Sequence, residues 1–157
     1  MILEYEDLAG RSGHEAGLAL LEKLYRRQFG AALPPIAHTS RGKPYFPGNE
    51  CHFSISHTPD KVFCCLSRQN IGIDAESCSR PVSPRLTQRF FSPNEQQRLV
   101  AAADAHAAAL RLWVLKEAYA KLTGRGLGDY LKDTDFDPDD PRVTVLSGCY
   151  VAVLEEK

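Results

Sequence analysis

The hydrophobic pattern changes period along the chain, and each change marks an element. Residues 1–5 read as a short strand. From His14 to Phe29 the apolar positions recur at helical spacing, with Leu18, Leu21, Leu24 and Tyr25 on one face and Glu22, Arg26 and Arg27 on the other. Ser12 is placed to cap this helix and Gly30 to stop it. Pro34 and Pro35 break the chain, and Arg41-Gly42-Lys43-Pro44 signals a turn. The period then falls to two over Cys51-His52-Phe53-Ser54-Ile55-Ser56-His57. Thr58-Pro59-Asp60 turns the chain into Val62-Phe63-Cys64-Cys65-Leu66, an apolar run that fits a strand buried on both faces. Gln69-Asn70 is a second turn, leading into Ile71–Asp74. A meander of three antiparallel strands is the simplest arrangement.

Helical spacing takes over from Ser83 onward. Ser92-Pro93-Asn94-Glu95 has the signature of a helix start: a serine cap, proline at the first helical position and glutamate three residues after the cap. A long helix is expected from about Asp104 to Thr123, ending at Gly124. Two C-terminal strands, near Val143–Leu146 and Tyr150–Leu154, flank a Ser147-Gly148 turn. These elements predict an α+β protein. The break near Asn70 divides it into a helix-plus-strands half, residues 1–70, and a strand-plus-helices half, residues 71–157.

Composition narrows the classes of function. At 157 residues the chain is long enough for a real hydrophobic core. A net charge of −1 argues against a broad nucleic-acid-binding surface, so any anion site must be a local concentration of Lys, Arg and His. No apolar run reaches the roughly 18 residues of a membrane helix. The acidic N-terminus lacks the basic and apolar segments of a signal peptide. A cytoplasmic location is expected, and five cysteines without metal spacing read there as reduced thiols. The adjacent Cys64 and Cys65 should point to opposite faces of their strand.

Two acidic segments carry the chemistry. In Ile71-Gly72-Ile73-Asp74-Ala75-Glu76 the two carboxylates lie two residues apart on a strand and share a face. Gly72 would let another group approach the backbone closely. In Trp113-Val114-Leu115-Lys116-Glu117-Ala118-Tyr119-Ala120-Lys121 the glutamate and Lys121 are one helical turn apart. Taken alone, the first segment is ordinary for an edge strand ending in solvated acids, and the second for an exposed Glu–Lys pair. Together they offer Asp74, Glu76 and Glu117 to one magnesium ion, which prefers a few carboxylates plus water and phosphate oxygens. Lys121 would neutralise phosphate charge beside it, and Lys116, about 100° around the helix from Glu117, would support.

In their order and spacing these segments resemble a 4′-phosphopantetheinyl transferase of the surfactin-synthetase-activating type. Gly42-Lys43-Pro44-Tyr45-Phe46, the Asp74–Glu76 segment and the Trp113–Lys121 segment carry the resemblance. Phe53-Ser54-Ile55-Ser56-His57-Thr58, Arg89-Phe90-Phe91-Ser92-Pro93-Asn94-Glu95 and Gly124-Arg125-Gly126-Leu127 add to it, so that it covers roughly residues 40–137. The resemblance implies transfer of the phosphopantetheine arm of coenzyme A to a serine of an acyl or peptidyl carrier protein, releasing adenosine 3′,5′-bisphosphate. The alternative is a non-catalytic homologue that binds coenzyme A or a carrier protein. The resemblance also implies roles. Asp74, Glu76 and Glu117 would bind magnesium, and Glu117 would accept the serine proton. Lys121 would contact the coenzyme A diphosphate, Ser56 and His57 the 3′-phosphate, and Lys43 the adenine and ribose end. Arg11, His14 and Arg41 are further candidates for the 3′-phosphate. Arg80, Arg85 and Arg89, with Phe90 and Phe91 nearby, are candidates for the carrier's acidic helix. The implied fold is two similar small lobes in a monomeric pseudo-dimer. Each lobe is a helix on an antiparallel sheet, the first shortened, with the active site in the cleft between them.

Overall fold

The computed structural model describes residues 1–48 and 51–156. In chain order the elements are β1 (Ile2–Asp7), α1 (Gly13–Phe29), the two-residue strands β2 (Ala37–His38) and β3 (Pro44–Tyr45), β4 (His52–His57), β5 (Lys61–Ser67) and β6 (Ile71–Ser77). There follow α2 (Pro84–Phe90), α3 (Pro93–Ala101), α4 (Ala105–Thr123), a 3₁₀ turn (Asp129–Asp133), β7 (Val143–Leu146) and β8 (Cys149–Glu155). The helix ends follow their sequence signals. Ser12 and Ser92 each form a complete capping box with the glutamate three residues on, and Asp104 caps α4. The chain leaves α4 at Gly124 with φ 67°, a left-handed conformation that favours glycine.

Both halves have one topology. A first strand is followed by helix and then a hairpin, and the first strand pairs with the hairpin's second strand. This gives the antiparallel sheets β1-β5-β4 and β6-β8-β7. The expected three-strand meander therefore ends after two strands. β6 leaves the first sheet and begins the second, pairing with β8 from Ile71↔Glu155 to Ser77↔Cys149. It still lies beside β4. Ser54 Oγ accepts the Ile73 N–H at 3.1 Å, and Ser56 Oγ accepts the Ala75 N–H at 3.1 Å. At this seam, side-chain hydroxyls satisfy backbone donors that a neighbouring strand's carbonyls would otherwise take.

The core consists of three apolar layers. Leu20, Leu21 and Leu24 of α1 pack on Val62, Cys64 and Leu66. The opposite face of β5, Phe63 and Cys65, packs on Ile71, Ile73 and Val151 of the second sheet. Leu115 and Ala118 of α4 cover that sheet's far face with Ala152 and Leu154. β5 is thus buried on both faces, and Cys64 and Cys65 point into different layers, as the alternation predicts. Among the described residues no helix is long and apolar enough to cross a membrane.

Candidate active site

The group that Gly72 admits is α4 itself. A Cβ at Gly72 would lie 2.1 Å from the Ala118 carbonyl oxygen and 2.5 Å from the Leu122 nitrogen. The helix therefore rests directly on the strand backbone. That contact places Glu117 and Lys121 over Asp74 and Glu76. Each of Asp74, Glu76 and Glu117 offers a carboxylate oxygen, and the three oxygens lie within 4.8 Å of one another.

Asp74 is 3% exposed. Its Oδ1 accepts from Ser56 Oγ at 2.9 Å and from Lys121 Nζ at 2.8 Å. Its Oδ2 is buried and, while Glu117 is ionised, receives no donor from the described residues. Glu117 faces Asp74, and its acidity shows the strain of that approach. Burial, then the Asp74 charge and a carboxyl–carboxyl hydrogen bond, push it up to about 8 against the opposing pull of Lys121 and Arg80. Glu76 is held by an ion pair with Arg80. Two carboxylates this close can share a proton or a cation. Three, with one buried oxygen unpartnered, fit a hard divalent ion, which takes several oxygens at once. Asp74, Glu76 and Glu117 are the residues that would hold it.

A cleft of about 290 Å³ opens beside the trio. Arg41, Lys43 and Ile55 line it from the first half of the chain, and Glu117, Lys121 and Leu127 from the second. The Lys43 stem lies along Gly124, and its ammonium donates to the Leu122 carbonyl at 2.6 Å and to Asn70. Lys43 thus ties the C-terminal end of α4, where helix dipole and free carbonyls favour a cation, to the turn before β6. Burial lowers its basicity.

The other expected site residues are dispersed. Ser56 is buried, and its hydroxyl holds Asp74 and the Ala75 N–H. His57 is exposed at the end of β4, its ring against Gly13 at the start of α1, where a Cβ would approach to 2.4 Å. Arg11 turns back on its own loop, donating to the Leu8 and Asp7 carbonyls. His14 is exposed on α1. Arg85 and Arg89 are exposed on α2, with the Arg89 guanidinium 5.0 Å from the Phe90 ring centroid, whereas Phe90 and Phe91 belong to the core.

Sequence patterns did not reveal the fully buried pair Glu95–Lys116, with Lys116 Nζ 2.8 Å from Glu95 Oε2. Glu95 also accepts the Ser92 and Phe136 N–H groups, and Lys116 donates to the Leu131 and Thr134 carbonyls. Burial raises Glu95 and lowers Lys116, while the hydrogen bonds between them oppose both shifts. The pair fastens α3 and the 3₁₀ turn to α4, one residue from Glu117. The capping box marks Glu95, but no spacing signal joins it to a lysine twenty-one positions on.

Comparison with known proteins places the chain in a family by its sequence. Residues 70–150 match the model of the 4′-phosphopantetheinyl transferase superfamily. The chain is 34% identical over 116 residues to the 4′-phosphopantetheinyl transferase Sfp of Bacillus subtilis (strain 168), covering 71% of this chain and 51% of that protein. It is 35% identical over 88 residues to the 4′-phosphopantetheinyl transferase gsp of Aneurinibacillus migulanus, covering 55% of this chain and 36% of that protein. It is 36% identical over 99 residues to the 4′-phosphopantetheinyl transferase HetI of Nostoc sp., covering 57% and 41%. The chain thus spans about half the length of the first of these relatives and less of the other two. The family match contains β6, α4 and all three carboxylates, and by that match the chain belongs to the 4′-phosphopantetheinyl transferase superfamily.

Proposed function

We propose that the chain transfers the 4′-phosphopantetheine arm of coenzyme A to a serine of an acyl or peptidyl carrier protein. The observation that carries this reading is the convergence of Asp74, Glu76 and Glu117 within 4.8 Å at the edge of a cleft lined by Lys121. A magnesium ion held by the trio would draw charge from the diphosphate and stabilise the leaving group. Lys121, already beside Asp74, is placed to take a diphosphate oxygen. Glu117 takes the proton from the carrier serine as its oxygen bonds to phosphorus. The bond from that phosphorus to the nucleotide's bridging oxygen breaks, and adenosine 3′,5′-bisphosphate leaves. A cation among the carboxylates offsets the charge repulsion that raises Glu117 and so favours its ionised, proton-accepting form.

The chain is read as two lobes, residues 1–70 and 71–157, with the site in the cleft between them; the shared strand order supports this division. Lys43 fixes the adenine end of the cleft, with Arg41 beside it, and His57 faces the 3′-phosphate from the first lobe. Ser56 is assigned to Asp74, because its hydroxyl is engaged there. Arg80, Arg85 and Arg89 are assigned to the carrier's acidic helix; Arg85 and Arg89 are exposed on α2, and Arg80 is paired with Glu76. The free cysteines suit the reducing cytoplasm, and a site completed by two lobes of one chain suits a monomer.

The test is intact-protein mass spectrometry of an apo carrier incubated with the chain, coenzyme A and magnesium, beside an EDTA control. The expected result is a metal-dependent gain of one phosphopantetheine. No gain on fatty-acid, polyketide or peptide carriers, with coenzyme A still bound, would favour the non-catalytic homologue.

A further inference from the structure

Each strand carboxylate of the trio has its own internal cation. Lys121 holds Asp74 and Arg80 holds Glu76. The Glu76 side chain is 12% exposed, whereas that of Arg80 is 40% exposed, so the guanidinium has room to move outward. Its backbone is fixed on both sides: the Arg80 N–H donates to the Ser77 carbonyl at 2.9 Å, and the Arg80 carbonyl accepts from His106 Nε2 at 2.8 Å. Pro81 follows and restricts the next torsion. The arm can therefore swing on an anchored base without moving β6 or α4. Four residues on, α2 begins, carrying the exposed Arg85 and Arg89.

A divalent ion held by the trio takes an oxygen of Glu76, whose Oε1 already pairs with Arg80, and its charge would repel the guanidinium there. We propose that Arg80 and the divalent ion are alternative partners of Glu76, and that entry of the ion turns Arg80 outward to join Arg85 and Arg89 as a surface for an acidic partner helix. The proposal rests on the metal-site reading given above. It makes Arg80 a positioning residue that links loading of the site to the face next to it.

The test is calorimetric titration of the full chain with Mg²⁺ alone, without coenzyme A or carrier. Arg80→Gln should bind Mg²⁺ about fivefold more tightly than the wild type, the scale of one partly exposed ion pair. Arg80→Lys, which keeps the charge but loses the guanidinium fork, should fall between them and serves as the test should the glutamine variant fold poorly. Arg85→Gln removes the same charge from α2 without touching Glu76 and should stay within about twofold. Equal affinity in wild type, Arg80→Gln and Arg80→Lys would overturn the proposal. So would equal tightening by Arg80→Gln and Arg85→Gln, which would reduce the effect to overall charge. Failure of every protein to bind Mg²⁺, with or without coenzyme A, would remove the metal-site reading and this proposal with it. Arm transfer in the mass assay together with unchanged Mg²⁺ affinity in Arg80→Gln would remove this proposal alone.

Discussion

The two halves share a strand order but differ in what lies between helix and sheet. In the first, α1 meets its sheet through side chains: Leu20, Leu21 and Leu24 on Val62, Cys64 and Leu66. In the second, α4 comes down onto the backbone of β6 at Gly72 and carries two charged residues to the acids beside it. Side-chain packing keeps a helix at the ordinary distance from its partner, and the interface then holds only apolar groups. Removing one Cβ lets the helix sink until carboxylates from both elements share one small volume. The same topology gives a structural layer in one case and a candidate reaction centre in the other.

Removing the chemistry of the second half while leaving its shape should have the largest effect. Glu117→Gln should lower arm transfer by at least about a hundredfold, the scale of a lost general base, with circular dichroism unchanged. The same variant tests the origin of the Glu117 shift. A carboxyl at about 8 in the fold and at 4.5 in the unfolded chain stays protonated between those values only when folded. Folding then takes up a proton, so stability in EDTA should fall as pH rises from about 4.5 to 8 and level off above that. Glu117→Gln should flatten this slope, and saturating Mg²⁺ should raise the melting temperature more at pH 8 than at pH 6, because the ion competes with that proton. An unchanged slope in thermal melts of the variant would place the proton elsewhere.

The next effect bears on helix approach itself. Gly72→Ala would drive a methyl into the Ala118 carbonyl, a backbone atom with nowhere to go, and should cost about 3 kcal/mol in urea unfolding. Gly17 is the counterpart on α1: a Cβ there would meet Ile55 Cγ2 at 2.9 Å, and a side chain can turn aside. Gly17→Ala also gains helix propensity of about 1 kcal/mol, so its net change should lie within about 1 kcal/mol of zero. Equal losses at the two positions would mean that backbone contact is not what distinguishes the halves.

The elements that sequence pattern placed well are those with local causes. Capping boxes set the starts of α1 and α3, alternation set the two faces of β5, and the period-two spacing of Asp74 and Glu76 put both beside α4. The misses are non-local. Nothing in Ile71–Asp74 says that it pairs with β8, 80 or so residues downstream, rather than with its neighbour in sequence. Lys43 has the spacing of an exposed turn lysine, and its attachment to Leu122 and Asn70 exists only once α4 is in place. Glu95 reads as the capping residue of α3 and Lys116 as a support beside Glu117, and only tertiary packing makes them a buried pair. Ser56 reads from its motif as a 3′-phosphate contact, whereas its hydroxyl holds Asp74, a partner decided by how the two sheets meet.

That meeting gives the smallest and most discriminating effect. Ser54 and Ser56 both accept a backbone N–H of β6 at 3.1 Å, and both are buried, so each alanine substitution should leave one donor unsatisfied and cost about 1–3 kcal/mol. Only Ser56 also donates to Asp74, at 2.9 Å. Losing that bond frees a carboxylate that would hold the ion, and partners of this kind typically change metal affinity by about tenfold or more. Ser56→Ala should therefore weaken Mg²⁺ binding in calorimetry while Ser54→Ala leaves it unchanged, although both lower the urea midpoint. Equal weakening by the two variants would show that the seam acts on the site through its stability alone, and Ser56 would then be a joint between the halves with no part in orienting Asp74.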